Sequence, residues 1–318
     1  ALCCGLSAPA SCTPMELPSP SPSQRVTAGA PFAVQAVEAN GLLQRVLVFA
    51  AEGPGEDAAP PVVLVHGYMD AAGTWSRVAA VLAARGRSVL VPELRGFGGA
   101  PRVPAGGYYH FPDYVADLEG TLAALAVPVV DLVGHSMGGA IATYFAAGFP
   151  ERVRRLAVLE GLGPPDMPIA AAPARLRAWV DATRELRARE AARPMTEEEA
   201  FARLRAAHPA VDAEALRSVL PHLVRLDEDG LRWAFDPLHR TPSPSPFLAA
   251  YYRALAAAVA APVLFVSGGP AGYHPPDEEE RLAAFRSLTR VELPRGGHMM
   301  HWTEPEALGD ALASFFAR

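Results

Sequence analysis

The chain has 318 residues, half of them hydrophobic, enough for one large core or for a core domain carrying a smaller one. No apolar run reaches the length that spans a bilayer. A formal net charge of −6 gives no electrostatic reason to expect nucleic acid or an anionic membrane as partner.

All 28 basic residues are Arg, which with the high Ala and Pro content reads as genomic base-composition bias. Residues 1–30 are rich in Pro and Ser and are expected to form a disordered or leader-like tail. They hold all the cysteines, Cys3, Cys4 and Cys12, so the fold beyond them needs no disulfide framework. The first methionine is Met15, and residues 1–14 read as upstream read-through or as the remnant of a leader. They lack the basic start and full apolar stretch of a signal peptide, so a cytoplasmic protein is expected, with export as the alternative.

From residue 31 strands and helices alternate. Phe32–Val37 and Leu43–Ala50 flank Asn40-Gly41, a strong hairpin signal. Strands are then predicted over Pro61–Val65, Ser88–Pro92, Val127–Val133 and Leu156–Leu159, with helices over Ala71–Arg85, Phe111–Leu125 and Met137–Gly148. Residues 165–258 are Ala/Arg/Glu-rich, helical in period and without a convincing strand. The alternation resumes with strand Pro262–Ser267, helix Asp277–Ser287, strand Arg290–Leu293 and helix Pro305–Arg318. Short apolar strands joined through amphipathic helices imply right-handed crossovers and a mostly parallel sheet covered on both faces. The predicted organisation is an α/β core over 31–164 and 259–318, interrupted by a helical insertion over 165–258.

Gly134-His135-Ser136-Met137-Gly138 matches G-x-S-x-G, a pattern expected by chance about 0.1 times in this length. The apolar run before it and the Ala-rich helix after it supply the strand–turn–helix context of a nucleophile elbow. Gly134 and Gly138 remove side chains that would collide with strand and helix, and the helix N-terminus points its N–H groups at a developing oxyanion. In such an elbow one oxyanion donor is the N–H of the next residue, Met137, and the other comes from the loop after the third strand, here His66-Gly67-Tyr68. Tyr68 would donate through its backbone. His66 is expected to be structural, Trp75 to pack under the loop and Asp70 to cap a helix as the residue before Ala71, with a minor site role as the alternative. Gly296-Gly297-His298 follows the last strand, which returns His298 to the edge of the sheet where Ser136 lies and makes it the candidate base. His301 competes for the role. His298 and His301 have the spacing of a metal pair, but no third ligand pattern accompanies them, and no metal is expected.

These segments, with Arg95-Gly96-Phe97-Gly98 and Glu304-Pro305-Glu306, resemble the α/β-hydrolase superfamily over residues 31–318. Leu159-Glu160-Gly161-Leu162-Gly163-Pro164-Pro165 and Asp236-Pro237-Leu238-His239-Arg240 are similar to the serine hydrolase-like subgroup, whose layout also resembles haloalkane dehalogenases. The resemblance implies an eight-stranded, mostly parallel sheet flanked by helices, with residues 165–258 as a helical cap. It also implies an Asp as catalytic acid a few residues after the seventh strand. Here the chain departs from the family, because Ser267-Gly268-Gly269-Pro270-Ala271-Gly272-Tyr273 contains no carboxylate and the first one is Asp277. Glu160 ends an otherwise apolar strand, 160 − 136 = 24 residues after Ser136, which suffices for one helix, a turn and a return strand about 4.8 Å away. A Glu there is costly to bury without a cationic partner, and some haloalkane dehalogenases place their acid at this position. Glu160 is the expected acid and Asp277 the alternative.

The expected activity is that of a serine hydrolase cleaving a carboxylester, thioester or lactone of a small apolar acyl substrate through an acyl-enzyme, without cofactor, as a monomer or homodimer. Carbon–carbon bond hydrolysis and cofactor-free perhydrolysis use the same triad and stay open. So does a non-catalytic ligand-binding protein on this fold.

Overall fold

The computed structural model describes residues 32–52, 59–189 and 192–318. The tail expected over residues 1–30, with its three cysteines, lies outside the described residues. Strands β1 (Ala33–Ala39) and β2 (Leu42–Phe49) form an antiparallel hairpin. Asn40 and Gly41 turn it with φ of 51° and 71°, the two positive values a type I′ turn requires. Next come β3 (Val62–Val65), α1 (Ser76–Ala84), β4 (Val89–Pro92), α2 (Phe111–Ala124), β5 (Val130–His135), α3 (Met137–Gly148) and β6 (Val153–Leu159). After β6 the chain leaves the sheet through α4 (Ala172–Ala188), α5 (Glu197–Ala207), α6 (Ala213–Leu223) and a two-stranded ribbon, β7 (Val224–Asp227) with β8 (Gly230–Trp233). It returns through α7 (Ala249–Ala258), β9 (Val263–Ser267), α8 (Glu278–Leu282), β10 (Leu288–Glu292), α9 (Met300–Thr303) and α10 (Pro305–Phe316).

The eight strands lie in the order β1-β2-β4-β3-β5-β6-β9-β10, all parallel from β4 to β10, with β2 antiparallel to β4. The inner strands read as continuous apolar runs because both faces are covered, yet their side chains still divide with period two. Val63, Leu132, Leu156, Val158 and Phe265 pack beneath α2, α3 and α7. Val62, Leu64, Val133, Ala157 and Leu264 pack on the opposite face against α1 and α10. Among the described residues no helix is long and apolar enough to cross a membrane.

The insertion differs from its expected form in two respects. It contains the β7–β8 ribbon, turned at Asp227-Glu228-Asp229-Gly230, where Gly230 takes φ 137°. Helix α7, expected inside the insertion, packs against α3 and places Tyr252 and Ala256 in the main core, so it serves as a covering helix of the sheet. The helix expected over Asp277–Ser287 is limited to Glu278–Leu282.

Asp131 is the one charge in β5, at the amino end of the sheet, and it is fully buried. Its carboxylate takes Arg87 at 2.5 Å and Arg154 at 2.5 and 2.9 Å, tying the α1–β4 connection and β6 to β5. Removing the charge strands two guanidinium groups. Asp131→Asn should lower the unfolding free energy by about 3 kcal/mol, the low end for a broken buried pair, because the Arg154 side chain is 34% exposed. Urea unfolding measures this, and a loss under about 1 kcal/mol would show that the pairs contribute little.

Candidate active site

The carboxyl edge of the sheet carries three of the five non-glycine residues with positive φ among the described residues. Of the non-glycine residues with positive φ, Met69, Ser136 and Glu160 all follow strands at this edge, at φ of 57°, 53° and 43°. Such conformations cost of order 1–3 kcal/mol each and persist where surrounding structure enforces them.

Ser136 sits between β5 and α3 at φ 53°, ψ −119°, with its N–H donating to Leu159 O at 2.9 Å. The glycines of the motif are required by close approach. A Cβ on Gly134 would lie 2.2 Å from Gly138 O, and one on Gly138 would lie 2.3 Å from Val65 O. Gly67 brings the β3 loop against Ser136, since its Cβ would stand 3.2 Å from Ser136 Cβ. Among the described residues, neither the Tyr68 N–H beside it nor the Met137 N–H at the start of α3 donates to any acceptor. Two unengaged donors therefore flank Ser136, as an oxyanion hole requires. The Tyr68 hydroxyl donates to His239 O and ties this loop to the insertion.

His298 Nε2 lies 3.2 Å from Ser136 Oγ and its Nδ1 lies 2.8 Å from Glu160 Oε2. A carboxylate only accepts, so Nδ1 carries the proton and the Nε2 lone pair faces the hydroxyl. Glu160 follows directly on β6, which neighbours β5, and its side chain is fully buried. Its other contacts are main-chain donors of the loop after β9: Gly268 N–H to Oε1 and Tyr273 N–H to Oε2, both at 2.6 Å. The segment where the family pattern would put an acid instead forms a socket for one. Its glycines make room, since a Cβ on Gly272 would lie 1.9 Å from Glu160 Oε1 and one on Gly268 would lie 2.0 Å from Gly297 O.

Asp277 is not brought to His298. It pairs with the buried Arg281 at 2.6 Å, whose Nη1 donates to the carbonyls of Leu162, Gly163 and Pro164. Asp277 thus helps to hold the chain just after Glu160. His301 does not face Ser136 either. It is fully buried, stacks on Trp75 at 4.7 Å and bonds through Nε2 to Asp70 at 2.9 Å. Asp70 is not the helix cap expected of it, since the turn Ala72–Trp75 is preceded by Ala71 at the cap position and α1 starts at Ser76; its carboxylate instead accepts from Ala71 N–H at 2.9 Å and Thr74 Oγ1 at 2.8 Å. Burial would raise its pKa, but the charge and hydrogen bond of His301, with His66 and Thr74, lower it overall.

His66 accepts from Leu94 N–H at Nε2, 3.1 Å, and bonds Gly67 O through Nδ1, 2.9 Å. This fixes the Nδ1–H tautomer and a structural role, and burial lowers its pKa. His135, the variable residue of the elbow motif, is one that sequence reasoning passed over. Its Nε2 donates to His298 O at 2.7 Å, and burial first, then His301 and His298, push its pKa well below the ordinary value. The neutral ring supports the main chain of the candidate base. Asp70, His135 and His301 bring ligand-type atoms within 4.8 Å of one another, with Asp70 and His301 already satisfying each other directly.

The family model for the alpha/beta hydrolase fold matches residues 60–305, and the chain belongs to that family. It is 26% identical over 275 residues to the sn-1-specific diacylglycerol lipase ABHD11 of Mus musculus, covering 83% of each chain. A stretch of 108 residues, 33% of this chain, is 44% identical to the 2-hydroxy-6-oxo-2,4-heptadienoate hydrolase of Pseudomonas putida and spans 39% of that relative's length. Among solved structures, the hypothetical protein PA1622 from Pseudomonas aeruginosa PAO1 matches with a TM-score of 0.78 at 26% identity, covering 90% of this chain and 99% of that one. The chain spans 39% or less of the length of several of the curated relatives it matches, among them hydrolases and lipases, and shares their α/β-hydrolase family.

Gly272→Ala should displace Glu160 from its socket. Because misplacement of about 1 Å costs roughly 10²-fold, hydrolytic turnover of an activated ester should fall at least that much while the melting temperature moves only a few degrees. Turnover within threefold of the unaltered protein would show that the socket does not control the site.

Proposed function

We propose that this protein is a serine hydrolase that cleaves an ester-type bond, a carboxylester, thioester or lactone, of a small acyl substrate through an acyl-enzyme. The observation that carries the reading is the unbroken chain Glu160–His298–Ser136, at 2.8 and 3.2 Å, beside the unengaged N–H groups of Tyr68 and Met137.

In this reading Ser136 Oγ attacks the substrate carbonyl as His298 Nε2 takes its proton. Glu160 keeps the ring in the required tautomer and stabilises the imidazolium that forms. The Tyr68 and Met137 N–H groups hold the oxyanion, and the leaving group departs with the proton from Nε2. Water activated by the same histidine then releases the acid and restores Ser136. The Ser nucleophile favours acyl transfer over the alkyl displacement that a carboxylate would perform. The part of the insertion between β6 and α7 is assigned as the cap, supported by the bond from the Tyr68 hydroxyl to His239. Carbon–carbon bond hydrolysis is the second reading, favoured by the 44% identity over 108 residues to a hydrolase named for a dienoate.

Three variants test the assignment. Ser136→Ala should abolish esterase turnover and labelling by a fluorophosphonate probe. Glu160→Gln should lower kcat by at least about 10²-fold, against roughly 10⁴-fold for the comparable change in a serine protease. Asp277→Asn should change kcat only a few-fold. Near-normal activity in Glu160→Gln with collapse in Asp277→Asn would return the acid to the segment after β9. Persistent labelling of Ser136→Ala would move the nucleophile elsewhere.

A further inference from the structure

A cavity of about 650 Å³ lies in the insertion, between α4, the β7–β8 ribbon and the turn that follows β8, with Arg102 of the core at its wall. Ser136, Glu160 and His298 are not among its lining residues. Its volume falls in the range that encloses a small organic ligand.

Its charge is out of proportion to the rest of the molecule. Eight of the chain's 28 basic residues line it, against two carboxylates, Glu185 and Asp236. Asp236 is already engaged, accepting from the Tyr109 hydroxyl at 2.8 Å and Leu238 N–H at 2.9 Å. Arg232 is neutralised by Asp227 and Asp229 at 2.9 and 2.8 Å. Arg102, Arg187, Arg203 and Arg240 have no carboxylate within 4.0 Å among the described residues. The Nη2 of Arg102 reaches only the carbonyls of Ala234 and Phe235, at 3.4 and 3.3 Å. Burial and then the charge of Arg225 lower the pKa of Arg102, while Asp236 opposes the shift. Arg225 keeps one bond to Asp227 at 3.1 Å, but its Nε is buried and bonded to nothing. Arg189 and Arg193 pair with Glu185 and Glu199, but among the described residues the positive charge of Arg102, Arg187, Arg203 and Arg240 has no matching anion, and at Arg102 it is partly desolvated, an arrangement that favours an anionic occupant.

The rest of the wall is apolar. The rings of Trp233 and Phe235 stack at 6.2 Å with 13° between planes, and Leu186 and Leu238 complete that surface. The Arg240 guanidinium lies 5.0 Å over the Phe235 ring. We infer that the cavity binds an amphipathic anion, an acyl or aryl body on the Trp233–Phe235 wall with a carboxylate or phosphate headgroup held by Arg102 and Arg225. The inference does not depend on the hydrolytic reading, because no triad residue takes part.

The test is isothermal titration of the full chain with decanoate, decyl phosphate and decanol at fixed ionic strength, repeated at raised salt. At least one anion should bind ten times or more tighter than decanol and lose affinity as salt rises. Which anion binds tighter tells a carboxylate from a phosphate source. Arg102→Gln and, separately, Arg240→Gln should each weaken the preferred anion, the first at least tenfold. Arg240 is exposed, so its replacement keeps the test open if Arg102→Gln does not fold. Equal binding of decanol and both anions, or anion binding unchanged in every folded variant, would overturn the assignment.

Discussion

Everything at the site depends on one buried carboxylate. Glu160 has its side chain withdrawn from solvent, and a charge so placed is tolerated only where its lone pairs are met. Two N–H groups of the loop after β9 and the Nδ1–H of His298 meet them. The hydrogen bond to His298 sets the ring's tautomer, and with it whether Nε2 can accept a proton from Ser136. Together the three bonds to Glu160 join the chain segments that follow β6, β9 and β10, which are distant in sequence and adjacent in the sheet. The backbone strain at Glu160 and the close-packed glycines at Gly268 and Gly272 are consequences of holding an acid there.

The two ends of the sheet do different work. At the amino end, Asp131 with Arg87 and Arg154 fastens β4, β5 and β6 through charge pairs in ordinary conformations. At the carboxyl end, loops of uncommon conformation bring polar groups together, and each is braced by another. His66 fixes the β3 loop to Leu94, the Asp70–His301 pair lies buried against Trp75, and His135 holds the carbonyl of His298. In the proposed function, the preorganisation that transition-state stabilisation needs would come from this second set of bonds.

Much of this was legible in the sequence because its constraints are local. The elbow is written in five consecutive residues, and Glu160 stood out as a single charge closing the apolar run Leu156–Leu159. What was hidden depends on contacts between distant segments. Nothing near Asp70, His135 or His301 announces that they pack together. The glycines of the β9 loop read as a missing acid, whereas their backbone forms the socket for one. The β7–β8 ribbon is hard to read because its strands are only four residues each, too short for the alternation of Val224 and Leu226 with Arg225 and Asp227 to stand out beside the helical period around it, although Asp229-Gly230 is a turn signal. Helix α7 looked like the rest of the Ala-rich insertion, and only its packing on α3 places it with the core.

The bond between Glu160 and His298 can be observed without any substrate. A proton held between a histidine Nδ1 and a buried carboxylate resonates far downfield in the proton NMR spectrum. With ¹⁵N-labelled histidine it can be assigned to a ring nitrogen. The account predicts one such signal from His298 in the unaltered protein, retained in Asp277→Asn and lost in a folded Glu160→Gln. A His298 signal that survives Glu160→Gln and disappears in Asp277→Asn would contradict it.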